Sequence, residues 1–425
     1  MQLFSFLKKE FVINVLTLIT GSALSQVIIY GAILLLTRLF STELFGIYML
    51  FTSATLILKP LATMQYEFAI VLPKKDEDAA NLLSFSVLVL CLYCVLLFII
   101  IFFFKDSISS FFSIKELSDF IYLIPVSVFL FGGVSILDYW NNRKSEFRNI
   151  SKGLLVKASV MSSSQIAVGF SSFNSLGLIP GMLLGNLFQL LFLIKTSLKS
   201  IKDLFQEISF KKMFFLAKKY KDIPVFNTII NVTNNLSNEL PVLLITKYFG
   251  LANSGIYGLA IKFTRAPIGI MQNSVNQVFF NRASKVYNEH GNLYDLVLKT
   301  AKNLLKISAF IFTPLIISSF HLDLLFGEDW VDVGLYSRIL LPWLFFAFLS
   351  NPITSLIIIL NKQKTIVIYD IFLLIFRFLA LFLGYYFYKS LVISLMLFSG
   401  VGMLFNILIF IFLLKTAKEN KIAYN

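Results

Sequence analysis

Four basic side chains stand where so apolar a chain should have none. Lys59, Lys262, Arg265 and Arg377 each interrupt a run of otherwise membrane-like sequence. A charge at the centre of a bilayer costs roughly 2.5–3.5 kcal/mol on insertion scales, so such a group must face a partner or a wet hollow. The neighbours of these four residues are spaced accordingly. Thr55, Lys59, Thr63 and Glu67 recur every fourth residue, along one face of a helix. Lys262, Arg265, Gly269, Asn273 and Asn276 do the same at i, i+3, i+7, i+11 and i+14. Asn227, Asn231, Asn234 and Asn238 follow one another at near-helical spacing, with Glu239 and Pro241 just beyond. Asp370 and Arg377 share a face at i, i+7, and Lys157 holds a similar place in the first half of the chain. Lys59 directly precedes Pro60, and Arg265 lies two residues before Pro267. A proline there removes a backbone hydrogen bond and makes a kink or a hinge.

The chemistry these residues suit is the binding of an anion. Near the middle of the apolar runs, Lys59, Lys262, Arg265 and Arg377 outnumber the acidic residues, Glu239 with Glu67 lower down, and surplus positive charge in a hollow attracts a negative ligand. Glu67, Glu239 and Asp370 are candidates for charge pairing or for coupling to an ion. Thr63, Asn227, Asn231, Asn234, Asn238, Asn273 and Asn276 are the candidate polar lining. Asp138, Lys157, Arg338 and Asp370 lie near the ends of apolar runs and are expected to snorkel outward.

Other chemistries are excluded. His290 and His321 are far apart, so no metal centre is expected. Cys91 and Cys94 form a C-x-x-C inside an apolar run, where inert packing is the expected role, and no cofactor is implied. Lysine and arginine number 37 against 23 acidic residues, but the excess lies in short segments between apolar runs, which signals membrane topology rather than nucleic-acid binding.

The elements that position these side chains are transmembrane helices. Of 425 residues, 57% are hydrophobic and 47 are phenylalanine, well above soluble proteins. A helix needs about 20 mostly apolar residues to cross the hydrocarbon. That ruler gives twelve spans, near 12–37, 45–72, 80–104, 119–140, 153–172, 174–196, 223–246, 254–281, 297–320, 335–360, 366–388 and 390–414. With both termini in the cytoplasm, the opposite loops hold only Arg38, Lys105, Lys115, Lys247 and Lys389, and the cytoplasmic segments hold most of the rest. The opposite loops are too short for a catalytic domain, so an enzyme is not expected. The segment 198–222, crowded with lysines from Lys199 to Lys221, reads as an amphipathic linker on the anionic inner leaflet. It separates an N-terminal lobe, 1–197, from a C-terminal lobe, 223–425, of six helices each.

The lobes are copies. Leu34 to Leu50 and Leu243 to Leu259 align without a gap, with Leu34, Leu35, Thr37, Phe40, Gly46, Ile47, Tyr48 and Leu50 identical to their counterparts. An even number of helices per copy makes the repeats parallel, two bundles around a central cavity as in transporters.

Three stretches carry a family likeness. Thr37-Arg38-Leu39-Phe40 through Phe45-Gly46-Ile47-Tyr48 resembles the first hairpin of bacterial polysaccharide exporters. So does Gln65-Tyr66-Glu67-Phe68-Ala69-Ile70-Val71-Leu72-Pro73, with Asp78-Ala79-Ala80-Asn81-Leu82 behind it. Leu325-Phe326-Gly327-Glu328-Asp329-Trp330 resembles that family's loop before the tenth span. Together these resemble the O-antigen and capsule flippases, the polysaccharide-transporter branch of the multidrug/oligosaccharidyl-lipid/polysaccharide (MOP) exporter superfamily. The resemblance implies an all-α, MATE-like, V-shaped fold in a bacterial inner membrane. It implies as cargo an undecaprenyl-diphosphate-linked oligosaccharide, flipped to the outer leaflet by alternating access. It further implies H⁺ or Na⁺ as coupling ion, and a polysaccharide polymerase and a chain-length regulator as partners. Two alternatives share the architecture. A multidrug exporter of the superfamily would favour a carboxylate-rich cavity, and a lipid-linked peptidoglycan-precursor flippase would differ only in cargo.

Overall fold

The computed structural model describes residues 2–112, 120–171, 177–202, 204–290, 293–360 and 362–424, and is all helical there. Lys115 and the side chains of Lys199, Asn273 and His290 lie outside the described residues. The helices are α1 (Gln2–Leu39), α2 (Thr42–Ala62), α3 (Asp76–Phe112), α4 (Leu123–Arg143), α5 (Phe147–Phe170), α6 (Ile179–Lys202), α7 (Phe210–Lys219) and α8 (Asp222–Phe249). They continue as α9 (Leu251–His290), α10 (Tyr294–Ser318), α11 (Leu322–Phe326), α12 (Val331–Ser350), α13 (Leu356–Ile359), α14 (Gln363–Tyr388) and α15 (Leu391–Tyr424).

Among the described residues, ten helices are long and apolar enough to cross a membrane. They correspond to ten of the twelve expected spans. The other two, 223–246 and 254–281, are helical as α8 and α9, but their asparagines and basic residues dilute the hydropathy. Two spans end clearly earlier than expected. The tenth was expected to run to 360, but α12 ends at Ser350 and a 3-10 helix, Asn351–Ile353, follows. The second span was expected to run to 72, but α2 ends at Ala62. Met64 and Gln65 then take φ +46° and +57°, and the chain turns into a 3-10 helix, Tyr66–Val71. Left-handed backbone cannot continue an α-helix.

Two compact units are present, Met1–Glu239 and Leu240–Asn425. In the first, α5 packs against α1 and α6, and α4 against α2, α3 and α6. Small residues bring these helices together. A Cβ added at Gly185 would meet the Lys157 carbonyl oxygen at 2.9 Å, and one at Gly181 would meet that of Met161 at 3.1 Å. In the second unit, α12 packs against α9, α10 and α15, and α14 against α15. The internal repeat appears as two helical hairpins. Ser41 caps α2 by accepting the Leu44 N–H, whereas the aligned Gly250 turns the chain between α8 and α9 with φ +89°. Tyr48 and Tyr257, identical in the repeat, are both buried.

Within the segment 198–222, Phe210–Lys219 forms the short helix α7, and it is tied to the first unit. Met213 and Ala217 of α7 pack with Phe85, flanked by Tyr66, Leu88, Val89 and Ile208. Lys212 pairs with Asp78 at 3.0 Å and Glu77 at 3.5 Å. Asn81 donates to the Glu207 carbonyl and accepts the Ser209 N–H.

Candidate functional site

In the first unit, charged side chains from α2, the 3-10 helix, α4 and α5 converge. Lys59, half-buried beside Pro60, lies within Coulombic range of Glu67, Asp138 and Lys157. Glu67 is 1% exposed; its Oε1 accepts from Ser135 at 3.3 Å, and the Thr63 hydroxyl lies close by. Asp138 Oδ1 is buried without a hydrogen-bond partner. The Lys157 ammonium sits 4.8 Å above the Phe131 ring of α4. Thr63 is fully buried in the turn that ends α2, where its hydroxyl accepts the Gln65 N–H.

The second unit repeats the theme with arginine and tryptophan. The Arg265 guanidinium lies 5.0 Å and that of Arg377 4.5 Å from the centroid of the same indole, Trp343 on α12. Arg377 also packs 5.0 Å from the Phe398 ring. It is 3% exposed and within Coulombic range of Arg265, Tyr257, Tyr369 and Asp370. Asp370 is 7% exposed. Guanidinium over an indole face is a favourable cation–π geometry, strongest away from water. Two like charges on one ring system repel each other, and an anion placed near both would relieve that repulsion. The pairs correspond between units: one cation beside a helix proline, Lys59 or Arg265, and a second, Lys157 or Arg377, over an aromatic ring of a neighbouring helix.

The expectation of snorkelling is not met for three of the four residues. Asp138, Lys157 and Asp370 turn inward as described. Arg338 donates to the Ser319 carbonyl at 2.7 Å and covers the Phe320 ring at 4.3 Å, which serves the end of α10.

The asparagine ladder is placed differently in detail. Asn231 donates to Gln65 Oε1 at 3.2 Å, and Ser53 donates to Glu239 Oε2 at 2.6 Å. Between them stands Asn235, outside the expected set, whose Nδ2 donates to the Leu56 carbonyl at 2.8 Å. Asn227, Asn234 and Asn238 are half-buried on the same helix, and Lys262 and Asn276 are half-buried on α9. Near Asn276, Gln272 donates to the Ala347 carbonyl at 3.0 Å. Trp343 and Asn235 are thus the residues sequence reasoning missed. The nearest sequence signal for Asn235 is Pro60, which leaves the Leu56 carbonyl without its helical donor.

The fold is that of the MATE transporters. An inward-facing multidrug resistance MATE family transporter of the MOP superfamily matches with TM-score 0.65 and 14% identity, covering 95% of each chain. A mutant of the Vibrio cholerae MATE transporter VcmN matches with TM-score 0.63 and 14% identity, covering 98% of each. A MOP superfamily transporter from Pyrococcus furiosus, described as having a binding pocket of reverse polarity, matches with TM-score 0.58 and 14% identity over 97% of this chain and 96% of that one. No curated protein matches the sequence. The family model for polysaccharide biosynthesis proteins matches residues 35–334, and the chain belongs to that family. The chain is thus a member of the polysaccharide biosynthesis protein family with a MATE-like fold, and ten of its described helices are long and apolar enough to cross a membrane.

Proposed function

We propose that this transporter moves an undecaprenyl-diphosphate-linked oligosaccharide from the inner to the outer leaflet of a bacterial inner membrane, by alternating access, for O-antigen or another surface polysaccharide. The observation that carries the reading is the pair of guanidiniums, Arg265 and Arg377, held on one buried indole. Arginine is suited to phosphate because its planar fork of donors matches the oxygens. A carboxylate-rich site would suit the cations that many multidrug exporters carry, and this site has the opposite bias. A diphosphate carries about two negative charges, and an inside-negative potential favours outward movement by roughly 2.3 kcal/mol per charge per 100 mV. Lys59 and Lys262 complete the proposed anion-binding set. Glu67, Glu239 and Asp370 are the proposed coupling or charge-pairing carboxylates, with H⁺ or Na⁺ as the ion. The half-buried asparagines of α8 and α9 would meet sugar hydroxyls, and the lysines of α7 would meet anionic lipid.

The test is export in cells whose surface polysaccharide depends on this chain. Arg265→Ala and Arg377→Ala should each lower surface polysaccharide at least about ten-fold, the loss of one charge-assisted contact, with membrane levels unchanged. Native export by both variants would remove the proposal.

A further inference from the structure

Pro60 has no N–H, so the carbonyl of Leu56, four residues earlier, lacks the donor a helix would supply. Asn235 provides one from α8 at 2.8 Å. The bond is the middle of three on a single stripe of α8. Asn231, Asn235 and Glu239 are four residues apart, and they meet Gln65, the Leu56 carbonyl and Ser53 respectively. All six groups belong to the first unit. The segment they grip carries the charge cluster: Lys59 sits next to Pro60, and Glu67 follows the left-handed pair Met64 and Gln65. Ordinary side chains resist that backbone conformation, so outside contacts must hold it.

We propose that Asn235 is a positioning residue for transport: by donating to the carbonyl that Pro60 cannot serve, it fixes the last turn of α2 and the placement of Lys59 relative to Glu67 and Asp138. The pose of the cluster then depends on the pose of α8, the helix that runs past Glu239 into the second unit. Withdrawal of α8 leaves the part-buried carbonyl without that donor, an unfavourable state that frees the last turn of α2 to shift. The inference rests on the chain being a transporter and not on the cargo proposed above.

A double-substitution cycle tests it. Pro60→Ala restores an N–H to the helix and makes the Asn235 donor redundant. In the native background, Asn235→Ala should lower Tm in detergent micelles and cut export about five-fold, the size of one neutral hydrogen bond. In the Pro60→Ala background the same substitution should cost less than half as much Tm, and Pro60→Ala should restore export to the Asn235→Ala chain. A packing role for Asn235 is indifferent to what occupies position 60, so equal Tm losses in both backgrounds overturn the inference. Full export by Asn235→Ala overturns its role in transport. Asn235→Leu, which keeps the bulk and removes the donor, gives the same readout should Asn235→Ala not fold. Tm coupling in a chain on which no surface polysaccharide depends would reject the cargo and leave the positioning role standing.

Discussion

Trp343 shows why chemistry at the residue scale was only half legible. Arg265, Arg377 and Asp370 announce themselves, because charge in an apolar run is costly and needs a reason. Trp343 lies within Leu340–Phe346, where an aromatic reads as ordinary core. Only the fold reveals that two guanidiniums share its ring. Asn235 escaped for a related reason: a ladder drawn through Asn227, Asn231, Asn234 and Asn238 steps over it, although Pro60 implied an unserved carbonyl. Trp343→Ala should remove the common platform and leave a void, with a loss of about 3–5 kcal/mol in stability and of most export. Trp343→Phe retains an aromatic face and should keep most of both. Thermal unfolding and surface polysaccharide measured on the same preparations would check this. Equal behaviour of the two variants would mean that the platform is irrelevant.

At the scale of elements, hydropathy located ten spans well because each is set by a long average. It failed where a few residues decide. The end of α2 is fixed by two left-handed residues, Met64 and Gln65, which no window average registers. α8 and α9 were found by the same length ruler, although their asparagines and basic residues lower their mean apolarity. The closeness of α5 and α6 depends on Gly181 and Gly185, one turn apart, a spacing that lets helix backbones approach but that the sequence reading did not single out. A side chain at Gly185 has nowhere to go, since backbone of α5 lies 2.9 Å from where its Cβ would stand. Gly185→Leu should therefore force the two helices apart, with a drop in Tm of several degrees and a lower yield of folded protein. Thermal unfolding and size-exclusion chromatography measure both, and native behaviour would refute the close approach.

For the whole molecule, the repeat was legible because both copies keep the same hairpin residues, while the tie between linker and first unit was not, since it joins residues about 130 apart. That tie has a pH signature. A hydrogen bond from Lys212 to Asp78, with the charges of Asp78 and Glu77 nearby, holds the lysine above its ordinary value of 10.5. A raised folded value means the stabilisation is fully present below the unfolded value and fades as pH climbs through the folded one. The tie should thus be constant through neutral pH and fail only above the ordinary lysine range. Comparing Tm against pH for the native chain and Lys212→Ala checks this: the gap should be small, steady near neutrality and closed in strong alkali.

The length of α3 turns the molecule into its own depth gauge. Its 37 residues extend about 55 Å, nearly twice a hydrocarbon layer of about 30 Å. Exposed apolar side chains crowd the stretch from Val87 to Phe104, about 27 Å of helix and so close to one full oily slab. The first turns of α3 consequently stand clear of the acyl chains. A bilayer fitted to that slab would put α7, which rests on Phe85, Leu88 and Val89, near its edge, with the exposed Phe210, Phe214, Lys211 and Lys218 available to it.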